Sequence, residues 1–282
     1  AAVSTELPDL PPDNIICEPV ARNTAPCIAV AALMLNHVNP DEVMVVLSAD
    51  QLIKDIAGFH RCLKEAESLA RVSKGLVTLG ITPTSPETGF GYIEADRKTP
   101  AGRGYAVKAF HEKPELALAV AYLTQKNYYW NAGIFIAKVS TLLEALHKHM
   151  PDLMKILAPL GKVIGTDRET QVLKNVFPDT PSVSIDHGVM EKADHVFVVP
   201  ATFDWSDVGS WPALDAIHAK DASGNVVVGN VINIETRNSI VVNNDGPIVA
   251  TLGVEDLIIV STADGVLICH KDKAQEIKKL TS

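Results

Sequence analysis

The chain has 282 residues, of which 47% are hydrophobic and 21% are charged, and its formal net charge is −9. An apolar fraction of this size is ordinary for a globular protein and excludes extended disorder and fibrous structure. The acidic balance, without a run of basic residues, argues against nucleic acid and against an anionic membrane surface as partners.

Apolar strands alternate with helices over the first half of the chain. A short strand is predicted at 14–17, and a helix at 26–37 follows because a proline early in the first turn favours a helix start. The continuous apolar run at 43–47 predicts a parallel strand buried on both faces. The later elements predicted here are helices at 56–73, 115–125 and 140–149 and strands at 76–81, 89–96, 105–110 and 134–137.

This alternation predicts an α/β sheet of the Rossmann type. In such sheets ligands bind beyond the carboxyl ends of the strands, and Asp50 lies just beyond the strand at 43–47. A carboxylate at the end of a buried strand needs hydrogen bonds or a metal ion. An aspartate at a strand end also often caps a helix, which is the more common role.

The pattern changes after about residue 220. Short β-rich runs separated by Gly, Asn or Asp occupy 225–269, which indicates a small all-β or β-helical unit. A closing helix is predicted at 273–280. The predicted domains are therefore 1–220 and 221–282.

Two polar segments near predicted strands are candidates for ligand contacts. Gly89 and Gly91 precede a strand, where glycine lets a ligand approach the backbone, although a plain turn explains them equally well. Glu112 and Lys113 follow a strand, and such a pair suits a sugar hydroxyl and a phosphate. A solvated loop is the simpler interpretation of this second pair.

Two further segments combine tryptophan with a polar side chain. Asn131 follows Trp130 and offers both a donor and an acceptor to a polyol. Asp207 lies between Trp205 and Trp211. Simple core packing explains each tryptophan equally well.

Seven motifs follow one another between residues 18 and 209, and the resemblance that they carry runs from about Pro8 to Leu280, nearly the whole chain. They are EPVARNTAP (18–26), LSAD (47–50), ETGFGYIE (87–94), FHEKP (110–114), WNAG (130–133), SIDHGVMEK (184–192) and WSDVG (205–209). This series resembles the bacterial mannose-1-phosphate guanylyltransferases, which form GDP-mannose and pyrophosphate from GTP and α-D-mannose 1-phosphate.

The resemblance implies a Rossmann-like nucleotidyltransferase (GT-A-like) domain with a mixed sheet flanked by helices, followed by a short left-handed β-helix. It also implies Mg²⁺, since hard oxygen ligands suit this ion and the ion offsets phosphate charge. No protein nucleophile is needed, because an oxygen of the sugar phosphate attacks the α-phosphorus of GTP. The protein supplies positioning and charge neutralisation.

The resemblance also assigns roles to individual residues. Asp50, Lys113 and Asp207 are the implied catalytic residues, Lys113 facing the sugar phosphate and the two aspartates holding the metal. The sugar hydroxyls are expected at Gly91, Glu112 and Asn131, and the nucleotide at Glu18, Arg22, Asn23 and Thr24.

The chain departs from the family pattern in two places. Family members begin with a first strand, a glycine-rich loop carrying arginine and a K-P-K-Q segment, and these 282 residues contain none of them. Because that loop holds the triphosphate, we expect an N-terminally shortened form that keeps the sugar half of the site and turns over poorly. The family's usual Asp-His pair is Asp50-Gln51 here.

Two rival functions stay open. One is a related sugar-1-phosphate nucleotidylyltransferase that uses another base or sugar. The other is a non-catalytic homologue that binds sugar nucleotides, and the retention of both Asp50 and Asp207 argues against it because a sensor has less need of two metal ligands.

Cysteine usage and hydropathy bear on location. The four cysteines are scattered and form no CxxC pair. The sequence shows neither a signal peptide nor an apolar run long enough to span a membrane, so we expect a cytoplasmic protein. The β-rich tail is a candidate surface for a homodimer.

Overall fold

The computed structural model describes residues 2–209 and 211–280. Two compact units are present, one formed by the residues up to Ser48 with Ile56–Thr202, the other by Ala49–Asp55 with the residues from Phe203 onward. Each unit has its own cluster of buried apolar side chains. The predicted boundary at 220 lies within the second unit, shortly before its first β-strand.

A six-stranded sheet forms the centre of the first unit. Its strands are β1 (Val43–Val46), β2 (Leu76–Ile81), β3 (Tyr92–Ala101), β4 (Gly104–His111), β5 (Tyr128–Lys138) and β6 (Val196–Pro200). The strand order is β1-β5-β2-β6-β4-β3, and β3 also pairs with β5. Only the β2–β6 pair is parallel among these described pairings. The mixed sheet confirms the predicted fold class.

The apolar helices of the first unit bury their faces against this sheet and against each other. The predicted helices at 56–73 and 140–149 are confirmed, the second beginning one residue earlier. Three further helices among the described residues of this unit lie outside the predicted set, and one of them contains Pro159, a residue that usually disfavours a helix interior. The helices are α1 (Ala2–Glu6), α2 (Thr24–Val38), α3 (Ile56–Ser73), α4 (Leu116–Thr124), α5 (Val139–His149), α6 (Pro151–Gly161) and α7 (Glu169–Val176).

Two strand predictions are wrong. The run at 43–47 forms β1, which pairs antiparallel with β5 and has one described neighbour, so Val45 and Leu47 stay 39% and 50% exposed instead of buried. The segment 14–17 forms no strand and follows the 3₁₀ turn Pro12–Asn14. A short apolar run becomes a strand only where a neighbouring strand accepts its backbone hydrogen bonds.

A bulge interrupts the pairing of β2 with β5. Thr78 lies opposite Phe135, whereas Gly80 lies opposite Asn131. Over this stretch of the pairing β5 therefore contains more residues than β2. Gly133 lies inside the bulge with φ +66°, a conformation that glycine adopts without steric cost. Bulges of this kind re-aim side chains and are common beside active sites.

The second unit contains the helix α8 (Leu214–Ile217) and a short β-helix of stacked parallel strands, followed by a 3₁₀ helix at Lys271–Leu280. In one sheet Val226, Ile240 and Ile258 lie in register, and all three are fully buried. The strands are β7 (Val226–Gly229), β8 (Val231–Ile234), β9 (Ile240–Asn243), β10 (Val249–Leu252), β11 (Leu257–Thr262) and β12 (Gly265–His270). This confirms the predicted β-helix.

Buried polar side chains join successive coils of the β-helix. Asn225 donates to the Thr236 carbonyl at 2.8 Å, and its own amide oxygen accepts from the Ser239 N–H at 2.9 Å. The Thr236 and Thr251 hydroxyls lie 2.7 Å apart. These bonds satisfy backbone groups that the corners would otherwise leave unpaired.

The helices also bear on membrane insertion. Of those within the described ranges, none combines the length and apolar character needed to cross a bilayer.

Candidate active site

The structure brings together Gly91, Glu112 and Asn131, the three residues that the resemblance assigns to the sugar hydroxyls. The backbone N–H of Asn131 donates to the Gly91 carbonyl at 2.8 Å. A Cβ added at Gly91 would lie 2.5 Å from Glu112 Oε2 and 3.4 Å from Asn131 Cβ. Glycine is therefore needed at this position for the Glu112 carboxylate to lie where it does.

The side chain of Asn131 is held by partners on three sides. Its amide oxygen accepts from the Gly133 N–H at 3.2 Å and from the buried Thr78 hydroxyl at 3.1 Å. Its Nδ2 donates to Asp186 Oδ1 at 2.8 Å. The bulge in β5 supplies the first of these bonds, so backbone geometry and side-chain orientation are linked.

Asp186 belongs to this cluster, although the sequence assigns it no role. It opens a π-helical turn, Asp186–Met190. Burial of the carboxyl, and secondly the negative charge of Glu112, raise the pKa of Asp186 above its usual range. Its motif, SIDHGVMEK, is visible in the sequence, but nothing there shows that the aspartate meets Asn131.

A histidine on the same turn carries an ion pair. His187 Nδ1 lies 3.1 Å from Glu191 Oε2, one helical turn away along the chain. The hydrogen bond and the negative charge of Glu191 raise the pKa of His187. The carboxylates of Glu112 and Asp186 add smaller effects in the same direction.

Lys113 is exposed and lies beside the sugar-site candidates. Its Nζ lies 3.4 Å from Glu112 Oε1. Its φ is +48°, a left-handed conformation that non-glycine residues rarely adopt. Strained backbone of this kind concentrates at functional sites.

The predicted nucleotide residues mostly contact the protein itself. Arg22 donates to the Pro178 carbonyl. Asn23, with φ +65°, precedes α2, and its side chain accepts from the Thr24 N–H at 2.8 Å. Thr24 accepts from the Ile185 N–H at 2.9 Å. These contacts fix the segment in place.

Glu18 is exposed, and its carboxylate lies beside the thiol of Cys27, a residue on the first turn of α2. Partial burial of the thiol, then the hydrogen bond and charge of Glu18, raise the pKa of Cys27 to about 11. The thiol is therefore largely protonated near neutral pH, which suppresses nucleophilic and metal-binding chemistry.

The second unit holds Asp50 and Asp207 on neighbouring segments. Leu52 and Ser206 exchange backbone hydrogen bonds of 2.8 and 3.0 Å. Gln51, at the position of the family's histidine, accepts from Trp205 Nε1 at 3.0 Å. The short antiparallel bridge places both aspartates on adjoining chain segments.

The backbone around Asp207 is unusual. Val208 has φ +51°, which is a rare conformation for a β-branched residue. A Cβ added at Gly209 would overlap Asp207 Oδ2, so the carboxylate uses the space that glycine leaves.

Asp50 and Asp207 fit a small hard cation in their chemistry. Mg²⁺ is typically bound by one or two carboxylates together with substrate phosphates. Across residues 2–209 and 211–280, no group of three or more His, Cys, Asp or Glu side chains could hold a metal by itself.

Two family matches cover most of the chain. A family described as nucleotidyl transferase matches residues 10–224, and a family described as MannoseP isomerase/GMP-like beta-helix domain matches residues 229–282. Residues 225–228 lie between the two matches, at the start of β7.

Individual relatives agree with these matches. The chain is 41% identical over 274 residues to a mannose-1-phosphate guanylyltransferase of Escherichia coli strain K12, covering 95% of this chain and 57% of the relative. It is 40% identical over 272 residues to the xanthan biosynthesis protein XanB of Xanthomonas campestris pv. campestris strain B100, covering 96% of this chain and 57% of the relative. This chain thus spans 57% of the length of these curated relatives.

A solved structure shares the same architecture over the full chain. A crystal structure described as mannose-1-phosphate geranyltransferase from Thermus thermophilus superposes with a TM-score of 0.83 at 34% identity. The match covers 100% of this chain and 81% of that chain.

Proposed function

The chain belongs to the nucleotidyl transferase family, and we propose that it serves the synthesis of GDP-mannose and pyrophosphate from GTP and α-D-mannose 1-phosphate. The observation that carries this proposal is the cluster of Gly91, Glu112 and Asn131. It combines a carboxylate that accepts, an amide that donates and a position without a side chain, which suits a ring of hydroxyl groups.

The sugar and its phosphate are assigned to neighbouring residues. Glu112 accepts from a hydroxyl, and Asn131 donates to one. Lys113 lies beside Glu112, and its ammonium offsets the charge of the sugar phosphate. An oxygen of that phosphate attacks the α-phosphorus of GTP, the bond between the α- and β-phosphates breaks, and pyrophosphate leaves.

Members of this family generally use a divalent metal ion, and we assign Mg²⁺ to Asp50 and Asp207. When bound, the ion neutralises phosphate charge and orients the phosphate oxygens. The nucleotide is assigned to the segment that contains Glu18, Arg22, Asn23 and Thr24. Arg22 and Thr24 stabilise this segment through the bonds described above.

The test is a substrate panel with the purified protein and Mg²⁺. GTP, ATP, UTP and dTTP are each paired with mannose 1-phosphate or glucose 1-phosphate, and nucleotide-sugar formation is followed by chromatography and pyrophosphate release. Preferred turnover of GTP with mannose 1-phosphate supports the proposal. Preference for another pair indicates a related nucleotidylyltransferase, and GDP-mannose binding without turnover indicates a binding protein.

A further inference from the structure

Asp186 contacts Asn131 from a turn that has no role in the proposed function so far. Its Oδ1 accepts from Asn131 Nδ2 at 2.8 Å. It lies on a π-helical turn, a rare geometry that is frequent at functional sites. The contact therefore joins an irregular turn to a residue assigned to the sugar.

The partners of Asn131 determine which way its amide points. The Gly133 N–H can only donate, and an ionised Asp186 carboxylate can only accept. If the amide were reversed, its NH₂ group would face the Gly133 N–H, donor against donor. Its oxygen would then face the Asp186 carboxylate, acceptor against acceptor. The amide oxygen therefore points into the bulge, and the NH₂ group lies on the Asp186 side.

The turn that carries Asp186 is itself fixed. Ile185 is buried, and its N–H donates to Thr24 Oγ1 at 2.9 Å. A Cβ added at Gly188 would overlap Met150 Sδ, so this turn packs closely against the core of the first unit. The residues on both sides of Asp186 are therefore held in place where its carboxylate contacts Asn131.

We infer that Asp186 is a positioning residue that holds the Asn131 amide in the orientation that donates to a sugar hydroxyl. One Nδ2 hydrogen is engaged by Asp186, and the second is available to the substrate. A hydroxyl that accepts from Asn131 can still donate to Glu112, which only accepts when ionised. The inference rests on the proposed function, in which Asn131 binds the sugar.

A double-mutant cycle tests this role. Binding of GDP-mannose and of GTP is measured by calorimetry for the unaltered protein, Asp186→Ala, Asn131→Ala and the double variant. We expect Asp186→Ala to weaken GDP-mannose binding about tenfold and GTP binding by less than about twofold. In the Asn131→Ala background, Asp186→Ala should then have almost no effect on GDP-mannose binding.

A conservative variant provides the matched control. Asp186→Asn keeps an acceptor oxygen and should retain GDP-mannose binding within about threefold. If Asp186→Ala does not fold, Asp186→Ser replaces it, because the serine side chain is too short for its oxygen to reach Asn131. Fully additive losses in the cycle, or an equal loss of GTP binding, overturn the inference alone. If the unaltered protein binds neither GDP-mannose nor mannose 1-phosphate, the proposed function fails and the inference fails with it.

Discussion

The hydroxyl of Thr24 accepts a hydrogen bond from the backbone N–H of Ile185 at 2.9 Å. The neighbouring Ala25 N–H donates to the Val183 carbonyl at 3.1 Å. The start of α2 is thereby tied to the turn that carries Asp186. A residue assigned to the nucleotide is therefore also a structural support for the sugar side.

Thr24→Val is expected to lower the free energy of unfolding by about 1–2 kcal/mol, because the Ile185 N–H loses its acceptor. Thr24→Ser keeps the hydroxyl and should lose less than half of that amount. Urea unfolding followed by circular dichroism measures both. Equal stability of Thr24→Val and the unaltered protein would show that the bond has no structural weight.

Gly91→Ala is expected to raise KM for mannose 1-phosphate at least about tenfold, since the new methyl group overlaps the Glu112 carboxylate. KM for GTP should change little. Gly265→Ala is the matched control, because nothing lies within 4 Å of a Cβ at that position. A larger effect on GTP than on the sugar phosphate would place Gly91 in the wrong half of the site.

Asp207→Asn is expected to lower kcat by about 10²-fold or more, because under the proposed function it removes one of the two charges assigned to the cation. Raising the Mg²⁺ concentration should recover part of the loss. Asp264→Asn, on the turn between β11 and β12, removes an equal charge and serves as the control. Turnover of Asp207→Asn at the unaltered rate would remove this residue from the metal site.

The ion pair of His187 with Glu191 makes stability depend on pH. Because the folded pKa of His187 is raised, its contribution is fully present below the unfolded pKa of about 6.5 and is lost as the pH rises through the folded value. NMR titration should give a midpoint above 6.5, and Glu191→Gln should lower it. A midpoint that does not respond to Glu191→Gln would contradict the assigned cause.

Glu18→Gln is expected to lower the pKa of Cys27 from about 11 and to speed its alkylation by iodoacetamide at about pH 8. Peptide mass spectrometry follows the rate, with the exposed Cys17 as an internal reference in the same digest. An unchanged ratio of the two rates would mean that burial alone raises the pKa of Cys27.

Local patterns are enough to predict much of the fold. The helix at 56–73 and the strand at 76–81 have the predicted bounds, because the helix shows an apolar periodicity and the strand is one short apolar run. The prediction for the run at 43–47 is wrong because amino-acid composition does not show whether strands pair with it on both sides. Strand neighbours are set by tertiary contacts far apart in the chain.

The candidate site shows the same division. Gly91, Glu112 and Asn131 are each identifiable from a short motif, and they do lie together. Asp186 is not identifiable as their neighbour, because its contact with Asn131 depends on the β5 bulge and the π-helical turn. Both are irregularities that add or shift residues, and the periodicity of the sequence does not predict either of them.

The direction of the final strand of the β-helix has a consequence for assembly. The coils of β7, β9 and β11 stack in parallel, and an open end of such a stack could accept another chain and grow. β12 instead runs antiparallel to β11, and the 3₁₀ helix Lys271–Leu280 packs beside both. The parallel repeat of this sheet therefore ends at β11, and any further strand that pairs at this end meets β12, which runs against the stack.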